Sequence, residues 1–247
     1  MGANFTLERQ NIRPVAPAQT VLRDLPSGGV VPCDVGIAVL ERAAGLIHFK
    51  RNQMIFSESD AAAHVYRVQS GCVRLTRLTP DGRRQISAFL HAGDWFGFEW
   101  INAYGVNAEA VSDVCLQSVP RRIMERMARE DTRIASFFHG LLAERFAQAQ
   151  DHVMVLGRHT ARERVTGFLL SLAARISHGP DGVLELAMGR QDIADHLGLT
   201  IETVCRVLHD LRKQRLVGVP DIHRLELLNV DGLAAMVEGA VQVPEAA

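Results

Sequence analysis

The stretch that most constrains this chain runs from Arg190 to His209: Arg-Gln-Asp-Ile-Ala-Asp-His-Leu-Gly-Leu-Thr-Ile-Glu-Thr-Val-Cys-Arg-Val-Leu-His. Ala194 is small, as required where two helices cross closely. Four residues later, Gly198 supplies the positive φ of a tight turn. Six residues beyond that, Val204 faces back to the first helix, and Ile193, Leu197 and Leu199 complete a small core. Thr200 is placed to cap the second helix. The spacing predicts a helix-turn-helix.

The second helix has two faces. Ile201, Val204, Leu208 and Leu211 fall at offsets 0, 3, 7 and 10, which is one apolar face. Glu202, Cys205, Arg206 and His209 fall at offsets 0, 3, 4 and 7 on the opposite side. A polar face opposite a buried one is what a recognition helix in a DNA major groove requires. Arg and Glu are side chains that read guanine and cytosine edges. An ordinary surface helix with a Glu202–Arg206 pair would share this pattern. The residues that follow favour the DNA reading. Leu216–Val219 and Leu225–Leu228 form two short strands around a turn at Pro220-Asp221, the wing of a winged helix. The candidate DNA-binding residues are Arg190, Thr200, Glu202, Cys205, Arg206, His209, Arg212 and Lys213. Arg212, Lys213 and Arg215 are expected to meet phosphates.

The other 200-odd residues must present this motif. The chain has 247 residues, 47% of them hydrophobic and 22% charged, the composition of a soluble globular protein with one or two domains. No apolar run reaches the ~18–20 residues of a membrane span. The first residues lack the apolar region of a secretory signal. Met1-Gly2 with Thr6 fits a myristoylation pattern, but one short enough to recur by chance. The formal net charge is −1, so DNA contact must come from a local patch. Lys50 and Lys213 are the only lysines among the basic residues, and arginine forks suit phosphates and guanine. Cys33, Cys72, Cys115 and Cys205 form no CxxC pair, which points to reduced thiols in a cytoplasm.

Residues 1–35 read as an irregular arm and 36–46 as a short helix. From about 47 to 120, short alternating strands and turns such as Thr79-Pro80-Asp81-Gly82 predict a sandwich or barrel-like roll. The domain containing it is expected over 36–130. Helices follow over 121–129 and from Asp131 to about Leu156, with 131–158 assigned to dimerisation. Leu142, Phe146, Ala149, Val153 and Leu156 are spaced 4, 3, 4, 3, a heptad seam that would pair two copies. The competing reading is a helix lying on its own domain. Residues 159–240 form the last domain, opening with a helix over Glu163–Ile176, and Val183–Leu186 forms a further strand. Glu163 and Asp192 read as members of solvated helix faces.

Residues 36–235 resemble the Crp–Fnr superfamily of transcription regulators, FixK/Fnr-like branch. The resemblance rests on Gly71 with Gly93-Asp94-Trp95-Phe96-Gly97, on the long helix, and on Leu199-Thr200-Ile201-Glu202-Thr203-Val204-Cys205-Arg206. It implies an α+β fold: an N-terminal β-roll of the cyclic-nucleotide-binding type, a long dimerisation helix and a C-terminal winged helix-turn-helix. It implies a homodimeric activator on a promoter palindrome close to TTGA–N6–TCAA, in contact with RNA polymerase. The genes implied serve oxygen-limited or nitrogen-oxide respiration. Glu202 and Arg206 match the family's base-reading positions, and Cys205 stands where a serine is usual.

The sequence also bears on the signal. Relatives that bind cyclic AMP carry an Arg-Ser pair for the phosphate, but Tyr104-Gly105 stands near that place here. Oxygen-sensing relatives hold an iron–sulfur cluster on four cysteines, and this arm has only Cys33. His48, His64, His91, His139 and His152 are conceivable haem ligands, though lone histidines are usually structural. No GxSxG, HExxH or phosphate loop appears, so no enzyme is expected, nor any cofactor or metal. Cys205 is the redox candidate: it lies beside Arg206 near a helix N-terminus, a setting in which thiols oxidise.

Overall fold

The computed structural model describes residues 44–100, 102–176 and 183–238. The arm over 1–35, Cys33 and most of the helix expected over 36–46 lie outside these residues. The end of that helix is overturned: Gly45 and Leu46 open strand β1 (Gly45–Phe49), paired with Ser118 and Gln117. Backbone pairing along an existing strand outweighs a weak local helical preference there.

Among the described residues, eight strands build the N-terminal roll. They are β1, β2 (Met54–Phe56), β3 (His64–Ser70), β4 (Val73–Leu78), β5 (Arg84–Leu90), β6 (Trp95–Phe96), β7 (Asn107–Ala110) and β8 (Val114–Pro120). They form two antiparallel sheets, ordered β1-β8-β3-β6 and β2-β7-β4-β5. Strand β8 is buried on both faces: Val114 and Leu116 pack between the sheets, and Val119, of opposite parity, packs with Met124, Ile134 and Phe138. Each fully buried Leu or Val contributes roughly 1.5–3 kcal/mol of apolar transfer free energy. The turn before β4 needs Gly71, with φ 87°, because a Cβ there would sit 2.3 Å from the Asp113 carbonyl oxygen.

Helix α1 (Arg121–Glu130) leads to Asp131, whose carboxylate accepts from the Arg133 amide and caps α2 (Thr132–Arg158). At 27 residues, α2 is about 40 Å long. Its first half lies on the roll. Ile134 and Phe138 are buried against Trp95, Phe98 and Met124, and Arg145 donates to the Trp95 carbonyl at 2.9 Å. From Leu142 onward it leaves Leu142, Phe146, Val153 and Met154 exposed, Phe146 by 66%.

The C-terminal unit comprises α3 (Ala161–Arg175), β9 (Val183–Glu185), α4 (Arg190–Leu197), α5 (Ile201–Lys213), β10 (Val217–Gly218), β11 (Arg224–Leu227) and α6 (Val230–Glu238). The three strands pair in the order β10-β11-β9. Helix α3 starts two residues earlier than its apolar pattern indicates. Thr160 and Glu163 form a reciprocal capping box there, so Glu163 is a cap rather than one more solvated residue.

Only His159 and Thr160 join α2 to α3, and Arg164 ties this joint together. Its guanidinium donates to the carbonyls of His159 (2.9 Å), Leu197 (3.0 Å) and Leu156 (2.7 Å). Two of these carbonyls belong to the last turns of α2 and α4, where free C=O groups and the helix dipoles favour a cation.

The unit also docks on the roll through α4. The His196 Nδ1 bonds the Ile86 carbonyl at 3.0 Å, and its ring stacks on His152 of α2 at 4.4 Å between centroids. Phe89 and Phe168 close the other sides. Burial, then the neighbouring His152, push the His196 pKa down from 6.5 to about 4. Burial lowers His152 as well.

The folded state therefore prefers neutral rings, and below pH 6.5 the unfolded chain binds more protons than the folded one. Stability is complete at neutral pH and declines as pH falls from 6.5 towards 4, with His196 contributing roughly 1–3 kcal/mol of the loss. Urea unfolding at pH 7 and pH 5 should show that decline, and His196→Phe should flatten it. A variant with the parent's acid sensitivity would place the responsible groups elsewhere.

Candidate nucleic-acid interface

Helices α4 and α5 cross at Ala194 and Val204, both with no exposed surface. Gly198, at φ 62° and ψ 40°, makes the left-handed turn between them, where a side chain would be strained. Thr200 caps α5, its hydroxyl accepting from the Thr203 amide at 3.3 Å. Val204, Val207, Leu208 and Leu211 are buried and Ile201 is half-buried. The opposite face presents Glu202, Cys205, Arg206 and His209, all exposed, followed by exposed Arg212, Lys213 and Arg215.

The electrostatics of this face follow from the helix end. The Glu202 carboxyl is held below its usual range, first by its own backbone amide, then by the Thr200 hydroxyl, with Arg206 assisting. The carboxylate is thus an acceptor at neutral pH. His209 Nδ1 lies 3.4 Å from an Arg212 Nη. Cys205 is an exposed free thiol, whereas Cys72 is buried just before β4 and Cys115 is half-buried in β8.

Arg190 differs from the others. It opens α4 half-buried, and its Nη1 has no hydrogen-bond partner among the described residues. Burial lowers its pKa, while Cys205 and Asp221 act in the opposite direction. It thus stands near enough to Cys205 and Asp221 to feel their charge.

The seam residues divide. Leu142, Phe146, Ala149 and Val153 are exposed along α2. Leu156 is half-buried, with its Cδ2 3.4 Å from where a side chain on Gly198 would begin, so it packs on its own helix-turn-helix. Met154, outside the heptad, is 57% exposed beside the seam.

Asp192 is 9% exposed rather than solvated. It accepts from Arg84 at 2.6 Å and from Arg74 at 3.2 Å, both on the roll. Sequence reasoning passed over Arg74, Arg84, Arg164, Asp195 and His196. Only the Asp192 position, three residues from Gly189 at the helix start, carried a local cue, as a cap.

Inside the roll, aromatic rings fill the space between the sheets. Tyr104 is 3% exposed, stacks on Phe56 at 3.6 Å and donates its hydroxyl to the His64 carbonyl at 2.7 Å. Tyr66 stacks on Phe96 at 5.2 Å in the same cluster. His48 and His139 are exposed, and His64, His91 and His152 are half-buried on separate elements. Among the described residues, no group of three or more His, Cys, Asp or Glu is placed to hold a metal ion. No helix among them is long and apolar enough to cross a membrane.

Comparison with known proteins agrees with this geometry. Residues 46–131 match the cyclic nucleotide-binding domain family, and residues 163–236 match the Crp-like helix-turn-helix domain family. The nitrogen fixation regulation protein FixK of Azorhizobium caulinodans is 42% identical over 231 residues, covering 88% of this chain and 92% of that protein. FixK of Rhizobium meliloti is 37% identical, covering 76% and 85% respectively. The structure of FixK2 from Bradyrhizobium japonicum superposes with a TM-score of 0.76 at 37% identity, covering 78% of this chain and 96% of that one. With a roll, a long helix and a winged helix-turn-helix in the same order, and relatives named as regulators, this chain belongs to the FixK/Fnr-type branch of the Crp–Fnr transcription regulators and is not an enzyme.

Proposed function

We propose that this protein is a homodimeric transcription activator that reads a palindrome close to TTGA–N6–TCAA at promoters, in the cytoplasm, in contact with RNA polymerase. Its targets are genes of oxygen-limited or nitrogen-oxide respiration, a reading supported by relatives named for nitrogen fixation regulation and for fumarate and nitrate reduction. The observation that carries the reading is the outward row of Glu202, Cys205, Arg206 and His209 on a helix whose other face is buried. Arg206 donates to guanine, and Glu202 accepts from cytosine on the facing strand. Arg212, Lys213 and Arg215 neutralise phosphates, Arg190 supports the row from the side, and Thr200 holds the helix start.

No cyclic nucleotide is required in this reading. Tyr104 stands near the place of the phosphate-binding arginine, and its ring is committed to Phe56. Two copies pair along Leu142, Phe146, Ala149 and Val153 of α2, placing the recognition helices about 34 Å apart, one turn of DNA. Leu156 supports the end of this seam from its own chain. The exposed Cys205 makes binding sensitive to oxidation. Peroxide transfers oxygen to the thiolate, leaving sulfenic acid and hydroxide, and the added polar oxygen faces DNA phosphates.

Arg206→Ala should weaken specific binding by roughly 1–3 kcal/mol per half-site and flatten preference at one base pair, as measured by gel shift on substituted palindromes. An unchanged base preference would refute the assignment. Phe146→Glu should give monomers in sedimentation and abolish specific binding, since a paired seam would bury two carboxylates. The monomer should remain folded by circular dichroism, because Phe146 is exposed in a single copy, while losing the stability that pairing adds. A tight dimer after this change would exclude the seam. Peroxide should lower DNA binding reversibly in the parent and not in Cys205→Ser. Equal loss in both would put the sensitive site elsewhere.

A further inference from the structure

The core of the helix-turn-helix is continuous with the roll through Cys72, Ile86, Phe89 and Val111, and α4 is gripped in addition by two arginines of the roll. Arg84 of β5 bridges two carboxylates: its Nε donates to Asp195 at 2.7 Å and its Nη2 to Asp192 at 2.6 Å. Arg74 of β4 stands behind it, with Nη1 3.2 Å from Asp192 and its other nitrogens on Glu109. The five side chains are only 11–27% exposed. Charge-assisted bonds from a rigid guanidinium fork define direction as well as distance. Flanking contacts join the same two units. Gln85 donates to the His196 carbonyl at 3.3 Å, and Arg175 of α3 pairs with Asp94 at 2.6 Å.

The winged unit is thus held at two separated places. One is the His159-Thr160 joint, fastened by Arg164. The other is its docking face on the roll, where Cys72, Ile86, Phe89 and Val111 share its core, Arg175 pairs with Asp94, and the β4–β5 hairpin supplies the directional grip of Arg84 and Arg74. A joint alone leaves a unit free to swing, whereas a second attachment fixes its angle. While both are closed, the Glu202, Cys205, Arg206 and His209 row remains exposed, so the grip orients the reading face without covering it.

We propose that Arg84, backed by Arg74, is a positioning residue for DNA reading: through Asp192 and Asp195 it fixes the angle of the winged unit on the roll, and so the separation of the two recognition helices in the dimer. This inference rests on the paired half-site reading above. One base pair more or less between half-sites changes their separation by about 3.4 Å and their twist by about 35°. A dimer whose reading units are clamped rejects such sites, and one whose units swing accepts them. Arg84 touches no part of the recognition row, so the preference for bases within a half-site does not depend on it.

The test measures binding to palindromes with spacers of five, six and seven base pairs. The parent should prefer one spacer by roughly tenfold or more over its neighbours. Arg84→Asp should reduce that ratio below about threefold, while base preference within the half-site, read by substituting the guanine pair, stays as in the parent. The reversed pair Arg84→Asp with Asp195→Arg should restore the ratio to within about twofold of the parent. A merely structural ion pair would instead lower affinity for all three spacers alike. If Arg84→Asp does not fold by circular dichroism, Arg84→Gln carries the same comparison. A parent that discriminates while the Arg84 variants discriminate equally would overturn the positioning role alone. A parent indifferent to spacing would overturn the paired reading and the positioning role with it.

Discussion

Helix α4 is held on both of its faces, and the rest of the molecule is arranged by that constraint. One face, with Ile193, Ala194 and Leu197, packs into the core that seats α5. The other, with Asp192, Asp195 and His196, is bound to β4 and β5 of the roll. The recognition helix therefore has a defined orientation relative to α2, the helix that carries the exposed seam. Arg164 contributes at the joint by capping the carbonyl ends of α2 and α4 with one cation. Removing one member of the Arg84, Arg74, Asp192, Asp195 and Glu109 set would leave a partly buried charge uncompensated.

The roll has the architecture of a ligand-binding domain, with an interior occupied by its own side chains. Phe56, Tyr66, Phe96 and Tyr104 form a contiguous aromatic cluster between the sheets. Burial and the nearby Tyr104 push the Tyr66 phenol well above its usual range, so it stays neutral. The same domain presents the β4–β5 hairpin to α4 and a platform of Trp95 and Phe98 to the start of α2.

The reading row was legible in the sequence because helical period alone separates Val204, Leu208 and Leu211 from Glu202, Cys205, Arg206 and His209. Thr200 and Gly198 were legible for the same local reason, as a cap and a turn. The grip on α4 was not. Arg84 and Arg74 lie 108 and 118 residues from Asp192, and a carboxylate at a helix start reads equally well as a solvated cap. The heptad spacing of α2 likewise carries no information about where its partner surface ends, so Leu156 looked like seam although it lies on Gly198 of its own chain. Strand β1 was misjudged at Gly45 and Leu46 because its pairing partner, β8, is some seventy residues away. Periodicity reports what one element buries, whereas long-range ion pairs and strand partners depend on the assembled fold.

The central claim is that two copies of α5 read DNA one helical turn apart. Hydroxyl-radical footprinting of the purified protein on its own upstream DNA tests it most directly. The account predicts two protected windows related by a dyad, centred about 10 base pairs apart and containing the two half-sites. Protection confined to one half-site, or spread evenly along the fragment, would contradict it.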